Sequence, residues 1–259
     1  LKVQDGCDYY CTYCTIPFAR GKSRSASVAH TMQTIDKALE QGAKEIILTG
    51  VNIGDFGRGS NERFIDLVKA IDKLTAEVRV RISSVEPNLL EEAIIDIVAS
   101  SKIIAPHFHI PLQSGSNRVL SLMGRRYTRE VFGQKVSLIK RLIPDAFIGV
   151  DVIVGMRGET PDMFDETLSF LGDTPFSELH IFPYSEREGT KALSIKPIVS
   201  QSEKKRRSEL LHNLSDSRIA DFYRSQRGKT KTVLWETTKD PKTMSGYTEN
   251  YIPVTAPLK

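Results

Sequence analysis

The stretch FIGVDVIVG, residues 147–155, decides the fold class of this 259-residue chain. Its apolar residues are nearly continuous, and most of them are β-branched. A strand of this kind is buried on both faces, which is typical of parallel sheets covered by helices. Asp151 interrupts the run. A buried carboxylate is costly unless it is paired, so we expect Asp151 to have a partner.

Similar short runs alternate with helical patterns on both sides of this strand. Strand-like runs occupy 45–50, 78–84, 107–112 and 179–184, and helical patterns occupy 28–41, 62–74, 89–100, 117–123, 129–141 and 161–170. Thr128 and Thr160, the latter followed by Pro161, are placed to cap two of the helices. With a first strand near 1–4, the order gives about six β/α units and predicts an α/β fold, a partial or full parallel β/α barrel.

The composition changes after residue 197. From residue 198 onward the chain has 12 Lys and Arg against 7 Asp and Glu, whereas the earlier part has 24 and 25. The sequence predicts a long polar helix at 201–227 and strands at 229–237 and 245–254, separated by a turn at Asp240 and Pro241. We therefore expect a barrel (1–197), a basic helical connector (198–228) and the start of a small all-β module (229–259). The basic excess favours a nucleic-acid contact, although a solvated helix face would also explain it.

All three cysteines lie in DGCDYYCTYC, residues 5–14, with the spacing C-x3-C-x2-C. An odd number of thiols in one segment does not suit a disulfide framework. A zinc site would take a fourth ligand, and the nearest histidine, His30, is sixteen residues beyond Cys14. A four-iron cluster held by Cys7, Cys11 and Cys14 would leave one iron open to a substrate or cofactor. A structural metal knuckle is the alternative.

The chain has no run of about 18 apolar residues, so we expect no membrane span and a cytoplasmic location. It shows no signal peptide and begins with Leu1, so we interpret it as part of a longer protein.

The cysteine spacing, with Tyr13 before the last cysteine, resembles the signature of the radical S-adenosylmethionine (radical SAM) enzymes. Within that family, five later blocks resemble the methylthiotransferases in the same order: LTGVNIGDFG, RVRISSVEP, HFHIPLQSGSNRVLSLMGRRYT, DVIVGMRGET and HIFPYSEREGT. The GYTENYIPV block resembles the RNA-binding TRAM module that ends these enzymes. IPFARGKSRS, HFHIPLQSGS and GYTENY look most like the branch that modifies threonylcarbamoyladenosine beside the tRNA anticodon.

The resemblance implies a [4Fe-4S] cluster with one open iron and S-adenosylmethionine as cofactor. A 5′-deoxyadenosyl radical would abstract hydrogen from adenine C2, and a second S-adenosylmethionine would supply the methyl group. Sulfur would pass through an auxiliary [4Fe-4S] cluster in an N-terminal domain that this chain lacks, so the chain alone should only cleave S-adenosylmethionine. The implied partners are the tRNA anticodon stem-loop and an electron donor, without DNA or a membrane.

By the same resemblance, a set of residues at strand ends is expected to bind the cofactor. Glu86 would bond a ribose hydroxyl, or else mark a helix start. Arg125, or the adjacent Arg126, would hold the methionine carboxylate. Gly50 would lie near the methionine amino group, or else serve a turn that needs a glycine. The full set is Tyr13, Thr49, Gly50, Val51, Glu86, Gln113, Ser114, Arg125, Asp151 and Gly155. His107 and His109 share one strand face, and we interpret them as packing residues.

For RNA, basic side chains would contact phosphates and two tyrosines would stack on bases. This set is Lys204, Lys205, Arg206, Arg207, Arg227, Lys229, Tyr247 and Tyr251. Two related enzymes remain as alternatives: the branch that methylthiolates an aspartate of a ribosomal protein, and the branch that modifies isopentenyladenosine in tRNA. A non-catalytic iron–sulfur RNA-binding protein is the third alternative.

Overall fold

The computed structural model describes residues 1–236 and 242–257, so the predicted turn at Asp240 and Pro241 lies outside it. The helices are α1 (Ile16–Arg20), α2 (Val28–Glu40), α3 (Phe64–Asp72), α4 (Glu92–Ser100), α5 (Asn117–Met123), α6 (Arg129–Leu142), α7 (Pro161–Asp173) and α8 (Gln201–Ser225). The strands are β1 (Gln4–Asp5), β2 (Arg24–Ser25), β3 (Glu45–Leu48), β4 (Arg79–Ile82), β5 (His107–Gln113), β6 (Phe147–Val154), β7 (Glu178–Pro183), β8 (Val233–Glu236), β9 (Thr243–Thr248) and β10 (Pro253–Pro257).

Strands β3 to β7 form the wall of a parallel β/α barrel. β3 pairs with β4, and β5, β6 and β7 pair in that order, all in parallel. Two single parallel bridges extend the wall: Lys2 lies beside Thr49, and Val80 of β4 lies beside Ile104, just before β5. Within the described residues no pairing joins β7 to the N-terminal segment, so the barrel is partial. This confirms the predicted fold class.

One face of each barrel strand is buried against the helices. Alternate strand residues such as Leu48, Val80, Ile110 and Val150 belong to a single apolar core with residues of α2, α3, α4, α6 and α7. Because successive strand side chains point to opposite faces, their neighbours along the strands line the lumen of the barrel. This inner face is mixed, and its polar residues are Glu45, Arg81, His107, His109, Asp151 and His180.

Helix α8 packs on the last barrel strand. Leu211 is fully buried in the barrel core, and the Leu179 amide of β7 donates a hydrogen bond to Ser215 Oγ at 2.9 Å. Arg207 of α8 forms a buried ion pair with Glu159 at 2.6 Å. The connector is therefore attached along its length, while the predicted domain boundaries at 197 and 228 stay a prediction.

Strands β10, β9 and β8 form an antiparallel sheet that lies against the amino-terminal ends of the barrel strands. Arg79 at the start of β4 donates hydrogen bonds to the carbonyl oxygens of Tyr247 and Thr248, each at 3.0 Å. Tyr251 reaches into the lumen from below, where its hydroxyl donates to Glu45 and its ring lies 4.0 Å from the Arg81 guanidinium. The module therefore forms the floor of the lumen.

Asp145, just before β6, anchors the module by charge. Its carboxylate accepts hydrogen bonds from Lys229 at 2.5 Å and from Lys231 at 3.0 Å. Its carbonyl oxygen accepts a third from Asn250 at 2.9 Å. Burial raises the pKa of Asp145, but the hydrogen bonds and charges of both lysines lower it further than burial raises it.

Several strand and helix boundaries differ from the sequence prediction, and β8 begins at Val233 rather than at residue 229. The first strand, expected near 1–4, is the two-residue β1, which pairs antiparallel with β2, while Lys2 just before it pairs in parallel with Thr49. The strand expected at 245–254 is two strands, since Tyr251 adopts a φ of 64° and its amide bonds back to Thr248. Helix α4 starts at Glu92 because the preceding residues form a turn on the Glu86 carbonyl.

The two predicted helix caps have different outcomes. Thr160 caps α7, since its side chain accepts a hydrogen bond from the Met163 amide. Thr128 occupies the cap position of α6 but makes no such bond. Asn117 takes over the capping role, because its side-chain oxygen accepts a hydrogen bond from the Arg129 amide at 2.8 Å.

Candidate cluster and cofactor site

The three cysteines lie on a loop that other segments hold in place. The Cys7 amide donates to the Gly21 carbonyl at 3.0 Å, and the Cys14 amide donates to the Cys11 carbonyl at 3.0 Å, which closes a turn. Between them, Thr12 bonds through its amide and hydroxyl to the carbonyl oxygens at the end of α5, at 2.9 and 2.7 Å. The loop therefore enters the site with its backbone already fixed.

The thiols suit a shared metal centre. All three are free, and Cys7 and Cys14 are partly exposed while Cys11 is buried. Burial raises the pKa of Cys7, and the nearby charges of Cys11, Asp55 and Cys14 raise it further. Burial also raises the pKa of Cys11, against the opposing charge of Arg125. Thiolates form when metal binds, so this donor set fits an iron–sulfur cluster.

Arg125 connects the cysteine loop to the end of β4. Its side chain is only 5% exposed. It donates hydrogen bonds to Cys11 Sγ and to the Tyr13 hydroxyl, both at 3.3 Å, and forms an ion pair with Glu86. The residues that the resemblance assigns to the cluster, the ribose and the methionine carboxylate are therefore brought together.

Burial shapes the electrostatics of this group. It raises the pKa of Glu86, although the positive charge of Arg125 acts in the opposite direction. Burial alone would lower the pKa of Arg125, but Tyr127, Tyr13 and Glu86 raise it well above its usual value. The guanidinium therefore stays charged and binds both the Glu86 carboxylate and the Cys11 sulfur.

Tyr127 and Arg126 support the site, and sequence reasoning did not single out Tyr127. The Tyr127 hydroxyl accepts a hydrogen bond from Arg125 at 3.2 Å and donates to the Pro111 carbonyl at 2.7 Å, so it fixes Arg125 to the end of β5. Arg126 instead donates to the Asp8 carbonyl at 2.7 Å and lies over the Tyr9 ring. The only sequence signal for Tyr127 is its place in GRRYT, beside the two arginines.

The end of β3 lies beside the N-terminal segment. Thr49 is exposed and bonds to the Leu1 carbonyl through its amide at 2.8 Å, and Val51 is 38% exposed. Gly50 has no left-handed backbone, contrary to the turn interpretation. A Cβ at Gly50 would lie 3.0 Å from Gln4 Oε1, so close approach to Gln4 accounts for the glycine.

The neighbouring residues Gln113 and Ser114 have different environments. Gln113 adopts a φ of 67°, and its buried Oε1 atom has no hydrogen-bond partner within the described structure. Such a combination is common where a protein binds a ligand. Ser114 is fully buried, and its hydroxyl bonds to Thr167 of α7 at 3.1 Å. In this structure the Ser114 hydroxyl is used in packing against α7, and its contact with the cofactor stays a prediction.

Gly155 also has a packing role in this structure. Its φ is 74°, and a Cβ there would lie 2.3 Å from Lys204 Cγ. Its amide donates to Glu159 Oε2 at 2.6 Å. The glycine thus lets α8 pass close to the end of β6.

Asp151 has two histidine partners, His109 at 2.6 Å and His180 at 3.3 Å. Burial raises the pKa of Asp151, but the two imidazoles outweigh it and hold the pKa at about 2. A partner for Asp151 was expected from its position in the strand. The pairing with His109 corrects the interpretation of that histidine as a packing residue.

Two residues predicted to contact RNA are buried in the barrel. Arg207 is 2% exposed in its ion pair with Glu159, and Lys204 is 5% exposed with its amine bonded to the Tyr184 carbonyl. Both side chains are thus paired inside this structure, and a phosphate contact by either of them stays a prediction. Tyr251 is also engaged, in the floor of the lumen. The members that remain exposed are Lys205, Arg206, Arg227, Lys229 and Tyr247.

Comparison with known proteins identifies relatives of this chain. The sequence model of the radical SAM superfamily matches residues 1–171. A threonylcarbamoyladenosine tRNA methylthiotransferase (MtaB) of Aquifex aeolicus is 39% identical over 90% of the chain and 57% of its own length. The corresponding protein of Bacillus subtilis is 36% identical over 98% of the chain and 58% of its length. A tRNA-2-methylthio-N(6)-dimethylallyladenosine synthase of Staphylococcus epidermidis is also 36% identical, over 96% and 49%. The chain thus spans about half the length of these relatives.

Solved structures with a similar fold come from the same superfamily. The radical S-adenosylmethionine methyltransferase TsrM of Kitasatospora setae superposes with a TM-score of 0.60 at 17% identity, over 71% of this chain and 36% of that one. Coproporphyrinogen III oxidase (HemN) of Escherichia coli gives 0.58 at 19% identity, over 83% and 51%. No helix among the described residues is long and apolar enough to cross a bilayer. With three clustered thiols at the mouth of a partial β/α barrel and a matching sequence model over most of its length, the chain belongs to the radical SAM superfamily.

Proposed function

We propose that this chain is the barrel of a tRNA methylthiotransferase that places a methylthio group on C2 of threonylcarbamoyl-modified adenosine beside the anticodon. The observation that carries the proposal is the connection of the Cys11 thiol, Arg125 and Glu86 at the barrel mouth. The relatives from Aquifex aeolicus and Bacillus subtilis are threonylcarbamoyladenosine tRNA methylthiotransferases, which supports this substrate class.

Cys7, Cys11 and Cys14 would hold a [4Fe-4S] cluster with one open iron. When bound, such a cluster supplies one electron and a coordination position for the reductive cleavage of S-adenosylmethionine. Arg125 is placed to hold the methionine carboxylate, and Glu86 to accept a hydrogen bond from the ribose. Gln113 Oε1, which lacks a partner among the described residues, is available as an acceptor at the end of β5.

Other parts of the reaction require more than this chain. We assign sulfur delivery to an auxiliary [4Fe-4S] cluster in the longer protein, and reduction to a separate electron donor in the cytoplasm. The anticodon stem-loop would meet the exposed members of the basic set. Of these, Lys205 and Arg206 lie on α8 with side chains 81% and 53% exposed.

The first experiment tests S-adenosylmethionine cleavage. The chain is loaded with iron and sulfide without oxygen, reduced, and given S-adenosylmethionine, and 5′-deoxyadenosine is quantified. We expect product from the wild type and from Tyr10→Phe, a change on the same loop, but none from Cys11→Ala. A four-iron, reduced wild type that yields no product would instead favour the non-catalytic iron–sulfur RNA-binding protein.

The second experiment tests the substrate. A longer protein with the N-terminal domain restored is offered tRNA carrying threonylcarbamoyladenosine, tRNA carrying isopentenyladenosine, and the ribosomal-protein aspartate substrate. We expect methylthiolation of the first. Methylthiolation of the isopentenyladenosine tRNA instead would assign the chain to that branch. This outcome is the main alternative, because the synthase of Staphylococcus epidermidis is as similar to this chain as the protein of Bacillus subtilis.

A further inference from the structure

A second group of metal-binding side chains lies in the lumen, away from the cysteine loop. It consists of His109 on β5, Asp151 on β6 and His180 on β7. Asp151 and His180 are register partners, and His109 is paired with Gly149, two residues before Asp151. A Cβ at Gly149 would lie 3.7 Å from the His180 ring and 3.9 Å from the His109 ring. Both imidazoles therefore converge over Gly149, beside the carboxylate.

The distances are close to those of a metal site. His109 Nε2 lies 2.6 Å and His180 Nδ1 lies 3.3 Å from the same oxygen of Asp151. All three ligand atoms lie within 4.8 Å of one another. Since zinc sits about 2.0–2.2 Å from nitrogen and oxygen ligands, its neighbouring ligand atoms are roughly 3 Å apart. Small side-chain rotations would bring the three atoms to this spacing without moving the strands.

We propose that His109, Asp151 and His180 form a binding site for a first-row divalent metal ion such as Zn²⁺ or Fe²⁺. Two imidazoles and one carboxylate are a donor set that such ions accept, and three protein ligands leave coordination positions open. The side chains are 25%, 17% and 41% exposed, so an ion can enter and the open positions face the lumen. The site differs in kind from the cysteine loop, whose thiolates suit iron–sulfur chemistry.

The position of the site within the barrel indicates which further ligands a bound ion would take. It lies at mid-strand, between the cofactor residues at the carboxyl ends and the Tyr251 floor at the amino ends. An ion held there would present its open positions to oxygen donors, such as water, a hydroxyl or a carboxylate, in the lumen.

The test is a zinc titration of the cluster-loaded chain, in which iron already occupies the cysteines. Calorimetry measures the affinity, and elemental analysis after desalting counts zinc while checking that iron and sulfide do not change. We expect one zinc per chain in the wild type and in His212→Ala, which removes an exposed histidine of α8. We expect none in the double variant His109→Ala and His180→Ala.

Asp151→Asn is the second variant, because it keeps the side-chain shape and can still bond to an imidazole. We expect its zinc affinity to fall at least about tenfold, or about 1.4 kcal/mol. Zinc should also raise the melting temperature of the wild type and not of Asp151→Asn at the same concentration. A wild type that takes up no zinc, or histidine and Asp151 variants that bind it as tightly as the wild type, would overturn the proposal.

Discussion

Arg125 and Glu86 show how single residues prepare the cofactor site. We propose that each binds a different part of S-adenosylmethionine, yet in this structure they bind each other at the barrel mouth. The side chains are 5% and 15% exposed, so neither charge has much contact with water. A ligand that binds the Arg125 guanidinium must therefore break its buried ion pair with Glu86, which reduces the net free energy gained on binding.

Replacing Arg125 with Met should be costly, because Glu86 would remain buried without its partner. We expect the free energy of unfolding of the cluster-free chain to fall by about 3–5 kcal/mol, as for other broken buried pairs. Adding Glu86→Gln to Arg125→Met should recover part of the loss. Denaturant unfolding measures both. Arg126→Met, on the exposed neighbour, is the control and should cost less than about 1 kcal/mol; an equal loss in both single variants would refute this account.

Gly155 and Gly172 offer a matched pair of glycine-to-alanine changes. Gly155→Ala places a Cβ 2.3 Å from Lys204 Cγ at a φ of 74°, so the α8 contact must move. We expect this change to destabilise the chain by about 1–3 kcal/mol. Gly172 has open space around it on α7, so Gly172→Ala should be neutral or stabilising by up to about 1 kcal/mol. Thermal unfolding compares the two, and equal melting temperatures would contradict the prediction.

At the scale of elements, α8 is part of the barrel packing even though its sequence is highly charged. The buried face carries Lys204, Arg207 and Leu211, and the exposed face carries Lys205 and Arg206. Arg207 lies between Glu203 of its own helix and Glu159 of the barrel. The buried side of α8 therefore forms ion pairs that stabilise the fold, and its other side exposes charged groups to solvent.

Arg207→Met should loosen α8, because it leaves the Glu159 carboxylate buried without its cation. We expect a loss of about 3–5 kcal/mol in unfolding free energy and faster proteolysis after residue 200. Arg206→Met is the matched control on the adjacent, exposed position, and it should change stability by less than about 1 kcal/mol. If the two variants were cut by protease at the same rate, the buried pair would not be what holds α8.

At the scale of the whole molecule, Asp145 makes the docking of the C-terminal module sensitive to acid. Its folded-state pKa lies below the ordinary value of 3.8. A carboxyl group of this kind adds stability above its unfolded pKa, and the contribution is lost as the pH falls through the folded pKa. The contribution is therefore complete at neutral pH and absent in strong acid.

Asp145→Asn should consequently be less stable than the wild type at neutral pH, and the gap should close in acid. Denaturant unfolding over a pH series measures the gap. Asp216→Asn, an exposed carboxylate on α8, should show little gap at any pH. A gap for Asp145→Asn that stayed constant down to strong acid would show that the lysine pairing is not its origin.

The sequence was informative where one physical pattern dominates. Buried strands such as β6 and the helix α5 agree with their predicted positions because apolar periodicity and turn residues act locally. The cysteine spacing predicted a shared metal centre, and the thiols do lie on one fixed loop. The basic run at Lys204 did not reveal that Lys204 and Arg207 are buried, because charge along a helix does not show which side chains meet a distant carboxylate.

Contacts between distant segments account for the other differences. The His109–Asp151 pair joins side chains 42 residues apart, and the Tyr251–Glu45 bond joins residues 206 apart. Neither contact can be predicted from the local composition of the sequence. Ser114 likewise lies at a strand end, as predicted. Its hydroxyl bonds to Thr167 of α7, and this contact can be seen only in the packed structure.

The insertion of Tyr251 has a consequence for how the barrel is completed during synthesis. Glu45, Arg81 and His107 come from three successive strands, and the Tyr251 side chain contacts all three. The strands β3, β4 and β5 are synthesised before Tyr251, so this end of the lumen can be covered only after residue 251 has left the ribosome. With Tyr251 in place, the lumen is covered beneath β3, β4 and β5, and the cysteine loop lies at its opposite end.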